Sequence, residues 1–152
     1  MNNDRYLFRG IATLPVGVSV TKKKNVWVYG GINLTKLKPY IIGCPEGKNY
    51  IETVPVIPET VGQWTGLIDK NGVRIFEGDK VRILNYNAKF ERCDPDFDCR
   101  IFNVEWNRYT WAFKNELICM PLSDYDIHDG TPFEIQVIGS IHDHLLGGKQ
   151  CQ

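Results

Sequence analysis

The sequence predicts a mainly-β protein with very little helix, and three observations carry that expectation. In Lys80-Val81-Arg82-Ile83-Leu84, Val81 and Ile83 face one way and Lys80 and Arg82 the other, the period of two of a strand with one buried face. Asn71-Gly72 lies between two β-prone runs, the strongest short-range hairpin signal, because both residues accept positive φ at low cost. No segment sustains an apolar period of 3.6; only Thr35 to Leu37 and Asp143 to Leu146 have the makings of a single helical turn.

Taken in order, Tyr6-Leu7-Phe8-Arg9-Gly10 and Val26-Trp27-Val28-Tyr29-Gly30 are short runs rich in aromatics and valine, each stopped by glycine. Thr21-Lys22-Lys23-Lys24-Asn25 between them reads as a solvated hairpin tip, where lysines discourage edge pairing. Tyr40 to Gly43 and Tyr50 to Val54 are further strands. Val54-Pro55-Val56-Ile57-Pro58 carries two prolines that cannot donate to a central ladder, so it reads as an extended connector. Gln63 to Ile68 and Val73 to Phe76 flank the Asn71-Gly72 turn, and Glu77-Gly78-Asp79 is a second tight turn launching the strand from Lys80. Asn85 to Asp98 is a polar loop. Phe102, Val104 and Trp106 then alternate with polar residues, as do Tyr109, Trp111 and Phe113, a hairpin expected to turn at Asn107-Arg108. Phe133, Ile135 and Val137 give a closing strand ending at Gly139.

Short strands separated by turns argue for a sandwich or small barrel. The turn-then-strand element Phe76 to Val81 suggests an SH3-like barrel in residues 57–146, with an N-terminal β-rich segment, 1–56, packed on it and a tail, 147–152.

Composition narrows the function. An apolar fraction of 43% supports a real core and argues against disorder. Eighteen basic residues balance eighteen acidic ones, so the basic excess expected of a protein living on phosphate backbones is missing. No stretch approaches the roughly 20 consecutive apolar residues of a membrane span. Met1 to Arg5 is polar with no signal-like run behind it, so the cytoplasm is the expected compartment and no membrane the expected context. In that reducing setting Cys44, Cys93, Cys99, Cys119 and Cys151 are expected to be free thiols.

The run from Thr60 to Asp79, with its Gln63-Trp64-Thr65-Gly66-Leu67 strand, Asp69-Lys70-Asn71-Gly72 turn and Phe76-Glu77-Gly78-Asp79 turn, resembles the central signature of the YopX family. Phe8-Arg9, Trp27-Val28-Tyr29-Gly30 and Glu134 to His142 are similar to other family segments. Gln136 and Ser140 depart from the family's usual Glu-Val-Ile-Gly-Asn-Ile. The resemblance implies a mostly β protein encoded by a phage, prophage or related mobile element. It brings no activity, cofactor or catalytic residue with it. Gln63, Trp64, Gly66, Asn71, Gly72, Glu77, Gly78 and Asp79 are therefore read as scaffold.

Candidate chemistry is sparse. Asp94, Asp96, Asp98 and Glu105 match part of a calcium-loop spacing, but Cys99 stands where the sharp turn needs glycine, and an acidic solvated loop is the simpler reading. Cys93 and Cys99 are too widely spaced for a zinc hook, and His128, His142 and His144 supply no finger-like second pair. Asp69, Glu77 and Asp79 read as turn residues capping backbone N–H groups rather than as paired acids. No nucleophile elbow or phosphate-cradling glycine loop is present, so no enzyme and no cofactor are expected.

Two functional classes remain. The first is a non-catalytic interaction or self-assembly module, a homo-oligomer or the binder of a phage or host protein, presenting the acidic, aromatic loops Asn85 to Asp98 and Leu122 to Thr131 on a rigid barrel. The second is a nucleic-acid-binding barrel with a regulatory role for the mobile element, using exposed tryptophans beside Lys22, Lys23, Lys24, Lys80 and Arg82, with Arg92 and Arg108 as further sources of charge. The sequence leaves open whether Trp27, Trp64, Trp106 and Trp111 are core or stacking surface.

Overall fold

The computed structural model describes residues 7–16, 19–34, 38–45, 49, 51–84, 100–122 and 134–146. The chain divides into two compact units, Met1–Gly66 with His142–Gln152, and Leu67–Ile141. The sequence reading divides at 56/57 and sets off 147–152; the compact units divide at 66/67 and return the segment from His142 to the first unit.

In the first unit, β1 (Phe8–Val16), β2 (Ser19–Leu34), β3 (Pro39–Pro45), β4 (Glu52–Pro55) and β5 (Gly62–Ile68) lie in the order β4-β3-β2-β1-β5. Every described pairing is antiparallel. Ala12, Val28, Ile41, Val54 and Val56 form the core, with Phe8, Val26, Ile32 and Val61 against it. Val26, Val28 and Ile32 share a parity along β2, so one face of the longest strand supplies the core, as period two requires. Thr60, buried on the 3₁₀ turn Pro58–Thr60, accepts the Ile11 backbone N–H at 2.8 Å and donates to the Ile57 carbonyl at 2.7 Å.

Two sequence expectations change here. The lysine run is ladder rather than hairpin tip: Lys23 pairs with Pro15 and Lys24 with Leu14. The physical reason is that β1 continues through Ile11 and Ala12, both fully buried, well past the glycine expected to stop it. Val54 to Pro58 is not a connector either. Val54 and Val56 are core, and the Val56 and Ile57 N–H groups donate to Pro39 and Ile11. Proline is tolerated there because β4 ends the strand order, where a missing donor breaks no ladder.

In the second unit the end of β5 turns back into β6 (Arg74–Phe76). Then follow β7 (Asp79–Ile83), β8 (Ile101–Asn107), β9 (Thr110–Lys114), β10 (Cys119–Pro121) and β11 (Ile135–Ser140). The last five form an antiparallel sheet in the order β10-β9-β8-β7-β11. Ile75, Val81, Ile83, Phe102, Val104, Phe113 and Ile135 make its core, with the Phe102 and Phe113 rings 6.5 Å apart. The mainly-β class is as expected. The described strands form antiparallel sheets not closed into a barrel, an arrangement compatible with an SH3-like module. Asp143–Leu146 makes the single 3₁₀ turn its sequence suggests, whereas Thr35 to Leu37, Phe133, the Asn85 to Asp98 loop and residues 123–131 of the Leu122 to Thr131 loop lie outside the described residues.

The two turns of the family-like signature build the frame of this unit, while its stretch from Gln63 to Gly66 belongs to the first. Asp69 N–H donates to Val73 C=O and Gly72 N–H to Asp69 C=O, so the hairpin has a three-residue loop ending in Gly72 at φ 81°. Of Asn71 and Gly72 only the glycine takes positive φ, giving a bulged loop in place of a two-residue turn. The Asp69 carboxylate accepts the N–H groups of Asn71 (2.7 Å), Val73 (2.9 Å) and Val137 (3.1 Å). Asp79, buried, accepts the Phe76 N–H at 2.8 Å, and Gly78, at φ 80°, donates to Val104 C=O and receives Ser140 Oγ and Ile141 N–H on its own carbonyl. Gln63 pairs with Phe8, Trp64 is half-buried on β5, and Gly66 is exposed at φ 91°. Glu77 is half-buried in the Gly78 turn.

Candidate interaction surface

The β8–β9 hairpin carries the largest concentration of exposed aromatic surface among the described residues. The strand register sets Trp106 opposite Trp111, two pairs beyond Val104 and Phe113 and so on the same face. Both tryptophans therefore continue the apolar face of the sheet past the end of its core. Their rings meet edge-to-face, 4.9 Å between centroids at 80°, the geometry the ring quadrupoles favour. Trp106 nevertheless stays 51% exposed and Tyr109, in the turn, 90%.

The turn falls at Arg108-Tyr109, one residue later than the sequence suggests, because Asn107 still pairs with Thr110. Tyr109 N–H donates to Asn107 C=O at 2.6 Å, closing a three-residue turn about Arg108. Arg108 has φ 56°, and among the described residues it is the sole non-glycine with positive φ. A β-carbon there costs of the order of 1 kcal/mol. Asn107 Nδ2 lies 3.1 Å from the Sγ of Cys119, an exposed free thiol on β10.

Of the basic residues expected beside an aromatic stacking surface, Arg108 lies in this turn, Arg92 lies outside the described residues, and Lys80 and Arg82 lie elsewhere. Lys80 pairs with Asn103, which pairs with Lys114, and Arg82 pairs with Ile101. Ile101, Asn103 and Glu105 alternate along β8 with Phe102, Val104 and Trp106, so Lys80 and Arg82 sit on the face opposite the tryptophans. Lys114 is held by Glu105 at 3.2 Å. Lys24 is an exposed residue of the first unit, and the side chains of Lys22 and Lys23 lie outside the description.

An aromatic–cation contact in the first unit is packed rather than presented. The Arg9 guanidinium stacks 4.3 Å over the Trp27 ring, and Arg9 is buried. His142 belongs to the same neighbourhood. Burial pushes its pKa below the ordinary 6.5, with Arg9 and His144 adding to that effect against Glu59 and Asp143. None of the four tryptophans belongs to the buried core.

Among the described residues no group of three His, Cys, Asp or Glu side chains converges as a metal site would require. Asp94, Asp96, Asp98, Cys93, Cys99 and His128 lie outside them. No described helix is long and apolar enough to cross a membrane.

The family model described as YopX protein matches residues 21–145, most of the chain. The chain belongs to the YopX family. No curated protein and no solved structure matches it. The YopX match takes in both the turn-rich run from Gln63 to Asp79 and the Trp106–Trp111 hairpin, so scaffold and aromatic tip lie within one family-matched segment. The sequence marks Trp106 and Trp111 by their alternation. It does not mark them as surface, because a strand that outruns its core looks in sequence like one that stays inside it.

Proposed function

We propose that this YopX protein is a phage- or prophage-type accessory protein acting as a non-catalytic protein-interaction or self-assembly module in the cytoplasm. The observation that carries the reading is the Trp106–Arg108–Tyr109–Trp111 tip: a tryptophan pair in edge-to-face contact, an exposed tyrosine and an exposed arginine on one hairpin. Tryptophan, tyrosine and arginine dominate the energetics of protein interfaces, since they bury much area for little side-chain entropy.

The alternative, a nucleic-acid-binding barrel, needs aromatics and basic residues on one strand-tracking surface. Lys80 and Arg82 stand behind the sheet from Trp106 and Trp111, which weighs towards a protein partner.

Tagged pull-down from a lysogenic host, with and without nuclease, tests the reading. A stoichiometric protein recovered regardless of nuclease is expected; nuclease-sensitive recovery of DNA or RNA would overturn it. Self-assembly is the simplest form of the module, since zero net charge leaves little repulsion between copies. Light scattering on the eluting peak should give a mass above that of one chain, and a clean monomer removes that form.

A further inference from the structure

We infer that the β8–β9 tip binds a short extended protein segment in which a carboxylate stands beside a proline. This rests on the protein-interaction reading and names the chemistry of the partner. Four side chains form the tip, a footprint far below the roughly 800 Å² per partner of a standard folded interface. A linear segment, which needs only a few anchored side chains, fits that footprint. Exposed tryptophan and tyrosine rings are the surface on which proline-containing extended segments dock, because such segments are already extended and lose little entropy on binding.

Charge complementarity supplies the carboxylate. Arg108 is exposed at the turn and forms no ion pair among the described residues. The acidic side chain on the neighbouring strand, Glu105, points to the other face and is engaged by Lys114 at 3.2 Å. Glu116 is exposed in the β9–β10 connection, beyond the far end of β9 from the tip. A guanidinium offers a planar fork that matches a carboxylate in two parallel hydrogen bonds. The backbone holds Arg108 at positive φ, where glycine would be cheaper, so the side chain occupies the apex of the turn.

The test uses the full chain and a fluorescein-labelled twelve-residue peptide of alternating proline and aspartate, with an asparagine version as control. Anisotropy should show saturable binding of the acidic peptide and at least about tenfold weaker binding of the asparagine version, the loss expected for one charge-assisted contact. Arg108→Gln should weaken the acidic peptide by a similar factor, as should Tyr109→Ala, while Lys80→Gln should leave it unchanged. Equal binding of the two peptides, no binding of either, or undiminished binding by Arg108→Gln would overturn the inference. Should Tyr109→Ala abolish capture of a protein partner while the peptide fails to bind, the interaction reading stands and this inference alone falls.

Discussion

Asp69 Oδ2 accepts the backbone N–H of Val137 at 3.1 Å, joining the first hairpin of the second unit to its last strand across 68 residues. The same carboxylate caps Asn71 and Val73, so one side chain satisfies three backbone donors in two elements. Asp69→Ala strands those donors. Each buried donor left unsatisfied costs about 1–3 kcal/mol, so the urea midpoint of Asp69→Ala should fall clearly below that of Asp69→Asn, which keeps one acceptor.

The same carboxylate sets an acid limit. Burial alone would raise its pKa, but the donors at Val73, Val137 and Asn71 outweigh burial and bring it below the ordinary 3.8. A carboxylate with a lowered folded pKa stabilises above its unfolded pKa, and that stability is lost as pH falls through the folded value. Urea titrations at steps below pH 4 should show wild type losing more stability than Asp69→Asn. Parallel acid limbs would contradict this.

His142 acts in the other pH range. Its pKa is lowered in the folded chain, so its contribution is complete above 6.5 and is lost as pH falls through the lower, folded value. On the 3₁₀ turn that follows His142, the Leu145 C=O accepts a hydrogen bond from Asn25 Nδ2 at 2.6 Å. The protection factor of the Leu145 amide, after correction for the pH dependence of intrinsic exchange, should fall between pH 7 and pH 5 in wild type and change little in His142→Gln.

Gly72 and Gly43 separate two ways in which a β-carbon does harm. At Gly72 it meets open space, so Gly72→Ala should cost about 1 kcal/mol from positive φ alone. At buried Gly43, opposite Gly30 on β2, a β-carbon would run into the Tyr29 carbonyl, and backbone cannot step aside. Gly43→Ala should therefore be the more damaging substitution in thermal melts, although its φ is unexceptional.

Arg108→Gly should move stability and binding in opposite directions. Relieving the strained φ is worth about 1 kcal/mol, less the entropy glycine adds to the unfolded chain, so the denaturation midpoint should hold or rise. Binding by the tip should fall.

The strands with buried alternation, such as Val81 with Ile83 and Phe102 with Val104, were legible in the sequence because one wet face and one dry face leave a period of two. The turns at Gly72 and Gly78 were legible because few other residues accept positive φ. Lys22 to Lys24 misled because charge marks exposure, and an exposed strand is as wet as a loop. Val54 to Pro58 misled because proline forbids a central strand but permits an end one. The tip was half legible: Trp106 and Trp111 were visible as strand residues, but exposure depends on where the core stops, and that is set by residues distant in sequence. The separation of Lys80 and Arg82 from the aromatics required the register of three strands.

The interaction reading rests on Tyr109, whose 90% exposure makes it dispensable for folding. The most direct test compares partner recovery by wild type and Tyr109→Ala from the same lysate, with melting curves of both. Unchanged melting with loss of the stoichiometric partner is the expected result. Full recovery of that partner by Tyr109→Ala would contradict the account.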